Sequence, residues 1–88
     1  MSGTKERLRI REARLAYKMK HNRRIEVAEI VTHVFTDADT IDLSDARKHQ
    51  IISRWNHGHN MKMATAHRVQ RLAQVLETTV DDLIDTIS

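Results

Sequence analysis

The second half of the chain carries three successive helix signals, which constrain its fold more than any other feature. Ser44 followed by Asp45 is a typical helix start, and Gly58 is a typical stop for the same helix. Thr65 and Thr79 are the corresponding starts of two more helices. In each segment apolar residues recur at the spacing of one helix face. They are Ile51, Ile52 and Trp55, then Val69, Leu72, Ala73 and Leu76, and finally Val80, Leu83, Ile84 and Ile87.

The first half predicts two further helices and a loop. Thr4 is the predicted N-cap of a helix that runs to about Lys20, and Arg24 opens a second predicted helix that runs to about Phe35. The β-branched residues of the second segment keep a strand possible there. Residues 36–43 (TDADTIDL) predict an extended loop between helices 2 and 3.

Two apolar patches flank a basic stripe on the first predicted helix. The stripe consists of Arg7, Arg11, Arg14 and Lys18. One patch consists of Leu8, Leu15 and Met19, and the other of Ile10, Ala13 and Tyr17. One patch should face the core. The other is either exposed to solvent, as single apolar residues often are, or a contact with a second subunit.

Composition agrees with an all-α fold. The chain of 88 residues has no Pro, no Cys and only two Gly, so it lacks the turn residues that an all-β fold needs. Residues 1–88 are expected to form one domain, with residues 1–3 disordered. The absence of Cys excludes disulfide scaffolds and Cys-type zinc fingers. No signal peptide or membrane span is recognisable, so we expect a cytoplasmic protein of bacterial or phage origin that does not associate with membranes.

Charge is arranged in blocks along the chain. Residues 1–24 hold nine Lys or Arg against two Glu, and residues 25–46 hold six acids and no Lys or Arg. Residues 47–71 then hold six Lys or Arg and no acid, and residues 72–88 hold four acids and no Lys or Arg. Such blocks form either ordinary solvated faces or a surface for a polyanion such as DNA.

Residues 51–85 resemble a known family. The run Ile-Ser-Arg-Trp before Gly58, the run Leu-Ala-Gln-Val-Leu at 72–76 and the Asp82-Leu83 pair follow one another as in the second half of the Xre-type helix-turn-helix domain. This resemblance implies a compact five-helix, repressor-like domain with sequence-specific DNA binding, usually as a dimer. The chain differs from the family in its longer loop between helices 2 and 3, which has no Gly.

The resemblance also implies site residues. The family's base-contacting positions fall on His49, Gln50, Ser53 and Arg54, which the helical periodicity also turns away from the core. The alternative for this face is simple solvation. The expected phosphate contacts are Arg14, Arg23, Arg24, Arg47, Lys48, His57, His59 and Lys62. Trp55 matches a buried position of the family, although a Trp can also stack on nucleic acid.

Three functions are consistent with these features. The first is a repressor/Cro-like transcriptional regulator that binds a double-stranded operator as a homodimer, with residues 45–56 in the major groove. The second is an antitoxin that binds its own operator and a toxin protein. The third is an excisionase-like or architectural protein that bends DNA. No enzyme motif and no cofactor site are recognisable. His57 and His59 form at most half of a tetrahedral metal site, so no metal is expected.

Overall fold

A computed structural model describes residues 5–59 and 61–87, which form a mostly helical domain. Thr4 and the disorder expected for residues 1–3 lie outside this part of the chain. Within it, five α-helices and one two-stranded sheet follow one another, which confirms the helical class. The elements are β1 (Lys5–Leu8), α1 (Ile10–His21), α2 (Val27–Val34), α3 (Asp45–Trp55), α4 (Ala66–Val75), α5 (Val80–Leu83) and β2 (Ile84–Ile87). Short 3-10 turns lie at Ala38–Thr40 and Met61–Met63.

The sheet corrects the predicted first and fifth helices. β1 and β2 pair antiparallel, with Leu8 opposite Ile84. The first predicted helix therefore begins only at Ile10, and the fifth ends at Leu83. An ion pair across the strands supports the pairing, because the Arg7 Nε donates to Asp85 at 3.0 Å. Arg7 accordingly lies on β1 and not on the basic stripe of α1.

The second helix also starts later than predicted. Arg23 and Arg24 precede it outside any helix, and α2 begins after Glu26, which has a β-region backbone. Ile25 causes this delay, since its side chain is buried in the core while its carbonyl accepts a hydrogen bond from the Arg14 Nε at 3.1 Å. The strand considered for this segment is wrong, because residues 27–34 are helical.

The starts of the last three helices agree with the sequence. Ser44 accepts a hydrogen bond from the backbone N–H of Arg47, and Thr79 accepts one from Asp82, each at 3.1 Å. Thr65 occupies the N-cap of α4, but its hydroxyl lies 3.2 Å from the His67 ring and does not cap the helix. Gly58 follows α3 with a φ of 77°, which only Gly adopts without strain.

The core lies among α2, α3 and α4. Trp55 is completely buried and packs at a tilt against Phe35, with ring centroids 5.5 Å apart. Of the two patches on α1, the Ile10, Ala13 and Tyr17 patch faces the core. Leu15 and Met19 are exposed, and Leu8 is buried from β1. The described helices include none that is both long and apolar enough to cross a bilayer.

The loop between α2 and α3 is fixed by a cluster of ionic groups. The buried Arg68 of α4 donates from its Nη2 to both carboxylate oxygens of Asp39, at 2.7 and 2.8 Å, and from its Nε to Asp37 at 3.1 Å. Arg71 and His67 also contact Asp37. Burial alone would raise the pKa of Asp37, but the hydrogen bonds from His67, Arg71 and Arg68 outweigh it and lower that pKa to about 2. The loop is therefore anchored on α4.

Candidate nucleic-acid interface

Helix α3 presents a polar face opposite its buried one. Ile51, Ile52 and Trp55 are buried, which turns the remaining sides of the helix outward. The four positions predicted to contact bases are all exposed, namely His49, Gln50, Ser53 and Arg54. The helical periodicity of the sequence thus identified the outward face of α3.

A hydrogen bond within this face orients Gln50. The Arg47 Nη1 donates to the Gln50 Oε1 at 2.9 Å. The residues are three positions apart, a spacing at which side chains on a helix meet. The amide of Gln50 is thereby held at its carbonyl end, while the side chain as a whole stays exposed.

A groove between α1 and α3, called here the α1–α3 groove, borders this face. Its polar lining consists of Arg11, Arg14, His49, Ser53, Asn56 and His57. None of these residues is acidic, so the groove combines two guanidinium groups with hydrogen-bonding side chains of α3 and of the two residues that follow it. An elongated anion lying along α3 would meet both helices there.

A second groove, called here the α1 groove, continues from the first. It is lined by Arg11, Arg14, Leu15, Lys18, Arg24 and Ile25. Arg11 and Arg14 line both grooves, whereas Lys18 and Arg24 line only this one. The two grooves together form one surface without an acidic lining residue.

The Lys and Arg side chains from Arg7 onwards divide into two groups. Six form ion pairs with acids of the same chain: Arg7, Arg9, Lys20, Arg23, Arg68 and Arg71. Eight others form no ion pair within residues 5–59 and 61–87: Arg11, Arg14, Lys18, Arg24, Arg47, Lys48, Arg54 and Lys62. Seven of these eight belong to α1, to α3 or, as Arg24, to the α1 groove. The cations without an ion pair are therefore concentrated on α1, on α3 and in the α1 groove.

The residues predicted to contact phosphate fall in different surroundings. Arg14, Arg24 and His57 line the two grooves, and Arg47 and Lys48 lie on α3. Arg23 is engaged elsewhere, because its Nη2 donates to the Tyr17 hydroxyl at 2.7 Å and its Nη1 lies 3.5 Å from Glu29. His59 and Lys62 are exposed after α3 but line neither groove.

Two contacts that were not predicted from the sequence hold the end of α3 against α1 and β1. The Asn56 Oδ1 accepts a hydrogen bond from the backbone N–H of Arg11 at 3.0 Å. It thereby caps the start of α1, whose own N-cap residue, Arg9, makes no side-chain cap. The Arg7 Nη1 also donates to the Asn56 carbonyl at 3.2 Å. In the sequence, only the position of Asn56 directly after a helix hinted at a capping role. That position does not specify which distant residue the Asn56 side chain contacts.

The histidines at the end of α3 lie near each other, with the ring centroids of His57 and His59 6.4 Å apart. In the part of the chain that the structure covers, no group of three or more His, Asp or Glu side chains is arranged to hold a metal ion. Hydrogen bonding of these two rings to an anion stays a prediction.

Comparisons with protein-family models, with curated proteins and with solved structures found no match to this chain.

Proposed function

We propose that the protein is a sequence-specific double-stranded DNA-binding protein of the repressor/Cro type, which regulates transcription as a homodimer. One observation carries the proposal: an exposed polar helix face borders a surface in which cations have no acidic partner among the described residues. Such a combination suits DNA, because the phosphates supply most of the affinity and base edges supply the specificity.

In the proposed complex, α3 lies in the major groove. Gln50 and Arg54 have side chains that pair bidentately with adenine and guanine respectively. His49 and Ser53 contact bases or adjacent phosphates from the side of the α1–α3 groove. Arg11, Arg14 and Arg47 hold the flanking phosphates and so fix the position of α3 on the duplex. In a two-fold dimer, the second α3 enters the major groove about one helical turn, roughly 34 Å, away.

Selection of bound duplexes from a random DNA pool tests this function. We expect a palindromic consensus, because a two-fold dimer contacts two inverted half-sites. Gln50→Ala and Arg54→Ala should each weaken binding to the selected site by about 1–3 kcal/mol and relax the preference at one base pair per half-site. Their melting temperatures should stay close to that of the parent, since both side chains are exposed.

Arg11→Ala is the matched control. Its side chain is exposed, and it has no ion pair within the residues described. We expect this variant to bind every sequence more weakly by a similar factor, since a phosphate contact carries no base preference. The proposal is wrong if the Gln50 and Arg54 variants discriminate between the selected site and random DNA as well as the parent does. It is also wrong if selection from the pool enriches no sequence.

A further inference from the structure

Three large apolar side chains are exposed in the described part of the chain: Leu15 by 59%, Met19 by 79% and Ile41 by 78%. Leu15 and Met19 lie on α1, whereas Ile41 lies in the loop before α3. Single exposed apolar residues need no explanation. These three, however, lie in two surroundings of opposite charge.

The surroundings of Leu15 are cationic. It lines the α1 groove together with Lys18 and Arg24, and no acid lines that groove. Neither cation forms an ion pair with another described residue. Met19 follows Lys18 and is exposed on the same helix. This end of α1 therefore offers apolar surface next to positive charge that the monomer does not neutralise.

The surroundings of Ile41 are acidic. Asp42 and Asp45 follow it closely in sequence, and both are exposed and without an ion pair in residues 5–59 and 61–87. Asp37 and Asp39, in contrast, are neutralised by cations of α4. The loop thus offers apolar surface next to negative charge that the monomer also leaves unpaired.

The loop is held in position in the monomer. Thr40 is buried, and its hydroxyl donates to the Asp37 carbonyl at 2.7 Å. The Asp37 side chain is in turn anchored to Arg68 and Arg71. A partner that contacts Ile41 would therefore not have to order a flexible loop, and ordering is a main cost of association.

We infer that this loop binds the α1 groove of a second copy of the chain. Ile41 then contacts Leu15 and Met19, while Asp42 and Asp45 approach Lys18 and Arg24. Apolar surface meets apolar surface, and each unpaired charge meets its opposite. Two such contacts formed reciprocally close a two-fold dimer.

The inference rests on the homodimer of the proposed function and identifies its protein–protein contact. Arg11 and Arg14, which also line the α1–α3 groove, remain for DNA.

Charge reversal tests this contact without DNA. Sedimentation of the full chain at low salt should detect a weak dimer that dissociates as salt is raised. Lys18→Glu and Asp42→Lys should each raise the dimer Kd by at least about tenfold, because like charges then face each other. An equimolar mixture of the two variants should dimerise again. Asp81→Lys, which makes the same charge change on an exposed acid of α5, should leave the Kd unchanged.

Cross-linking gives an independent measurement, because the chain has no Cys. Leu15→Cys and Ile41→Cys copies, when mixed and oxidised, should form a disulfide between the two chains. Gln74→Cys, at an exposed site on α4, should react with neither. The inference is overturned if the mixture of charge-reversed variants stays monomeric or if the Gln74 variant cross-links equally well. A monomer that still selects a DNA sequence would overturn this inference without contradicting DNA binding.

Discussion

Trp55 shows how a single residue fixes the orientation of α3. It has no exposed surface, and it packs against Phe35 of the segment that follows α2. Burial of this large ring on one side of α3 turns Gln50 and Ser53 to the opposite side. Of the two roles considered for Trp55, core packing is the one that the structure supports. Stacking on nucleic acid would require an exposed ring face.

Truncation of Trp55 tests this role. Trp55→Ala should lower the free energy of unfolding by about 3–5 kcal/mol, because it leaves a large cavity in the core. This is a large fraction of the stability of so small a domain. Chemical denaturation measures the change, and Trp55→Phe, which keeps an aromatic ring, should lose much less. A Trp55→Ala variant that unfolds like the parent but no longer binds DNA would show that Trp55 is a contact residue.

The surroundings of individual residues were predictable to different degrees. Periodicity was sufficient to predict that His49, Gln50, Ser53 and Arg54 are exposed, because Ile51, Ile52 and Trp55 on the other side of α3 had to be buried. It was not sufficient for Arg23, whose side chain pairs with Tyr17 and Glu29 on two different helices. The sequence gives the charge of a cation, but only the fold decides whether an acid of the same chain neutralises it.

At the scale of elements, the anchored loop before α3 is the main departure from a simple helical domain. Arg68 is buried and forms ion pairs with Asp37 and Asp39. A buried guanidinium is unfavourable unless its hydrogen bonds are satisfied, and here Asp37, Asp39 and the Met63 carbonyl accept them. The cluster holds the loop, and so the start of α3, against α4.

Acid should weaken this anchor. The folded-state pKa of Asp37 is about 2, below the ordinary value of 3.8, so its contribution to stability is complete above about pH 4 and is lost as the pH falls towards 2. Asp37→Asn should therefore lower the melting temperature at pH 7, and the difference from the parent should shrink as the pH approaches 2. Thermal unfolding followed by circular dichroism between pH 2 and 7 measures both effects.

Arg68→Met serves as the companion variant. It keeps an apolar side chain of similar length but removes the guanidinium, and it should cost about 1.5–3 kcal/mol at neutral pH, as hydrogen bonds to charged groups do. Asp81→Asn, an exposed acid outside the cluster, should change little. A difference between Asp37→Asn and the parent that stays constant down to pH 2 would contradict the role of the Asp37 carboxylate.

The elements that were wrongly predicted from the sequence are those whose structure depends on residues far away in the chain. β1 and β2 are four residues each and pair the two ends of the described chain. Ile84 and Ile87 fit the helical spacing that begins at Val80, so local periodicity could not separate them from α5. The helix starts at Ser44 and Thr79 were correctly predicted. Each depends on a capping side chain that lies next to the helix in sequence.

At the scale of the whole molecule, charge is segregated in space more than net charge suggests. The formal net charge is only +3. Internal ion pairs neutralise the positive charge of Arg7 on β1 and of Arg68 and Arg71 on α4. The unpaired cations are therefore chiefly on α1 and α3. The basic blocks of the sequence therefore overstate the extent of the cationic surface, since Arg7, Arg9, Arg68 and Arg71 contribute little to it. Of the unpaired cations that remain, Arg11 and Arg14 line both grooves, and Lys18 and Arg24 line the α1 groove.

This segregation predicts how DNA affinity depends on salt. If three to five unpaired cations per subunit contact phosphates, the slope of log K against log salt should be about −2.7 to −4.5 per subunit, since each phosphate neutralised contributes about −0.9. Arg47→Gln, which removes an unpaired cation of α3, should reduce the magnitude of the slope by about one contact per subunit.

Lys20→Gln removes the same charge, but that cation already lies 3.3 Å from Glu77, so the slope should stay nearly the same. Fluorescence anisotropy titrations at a series of salt concentrations measure all three slopes. Equal reductions in the two variants would mean that net charge, and not the surface beside α3, attracts DNA, and a flat dependence in the parent would exclude a phosphate-contacting surface altogether.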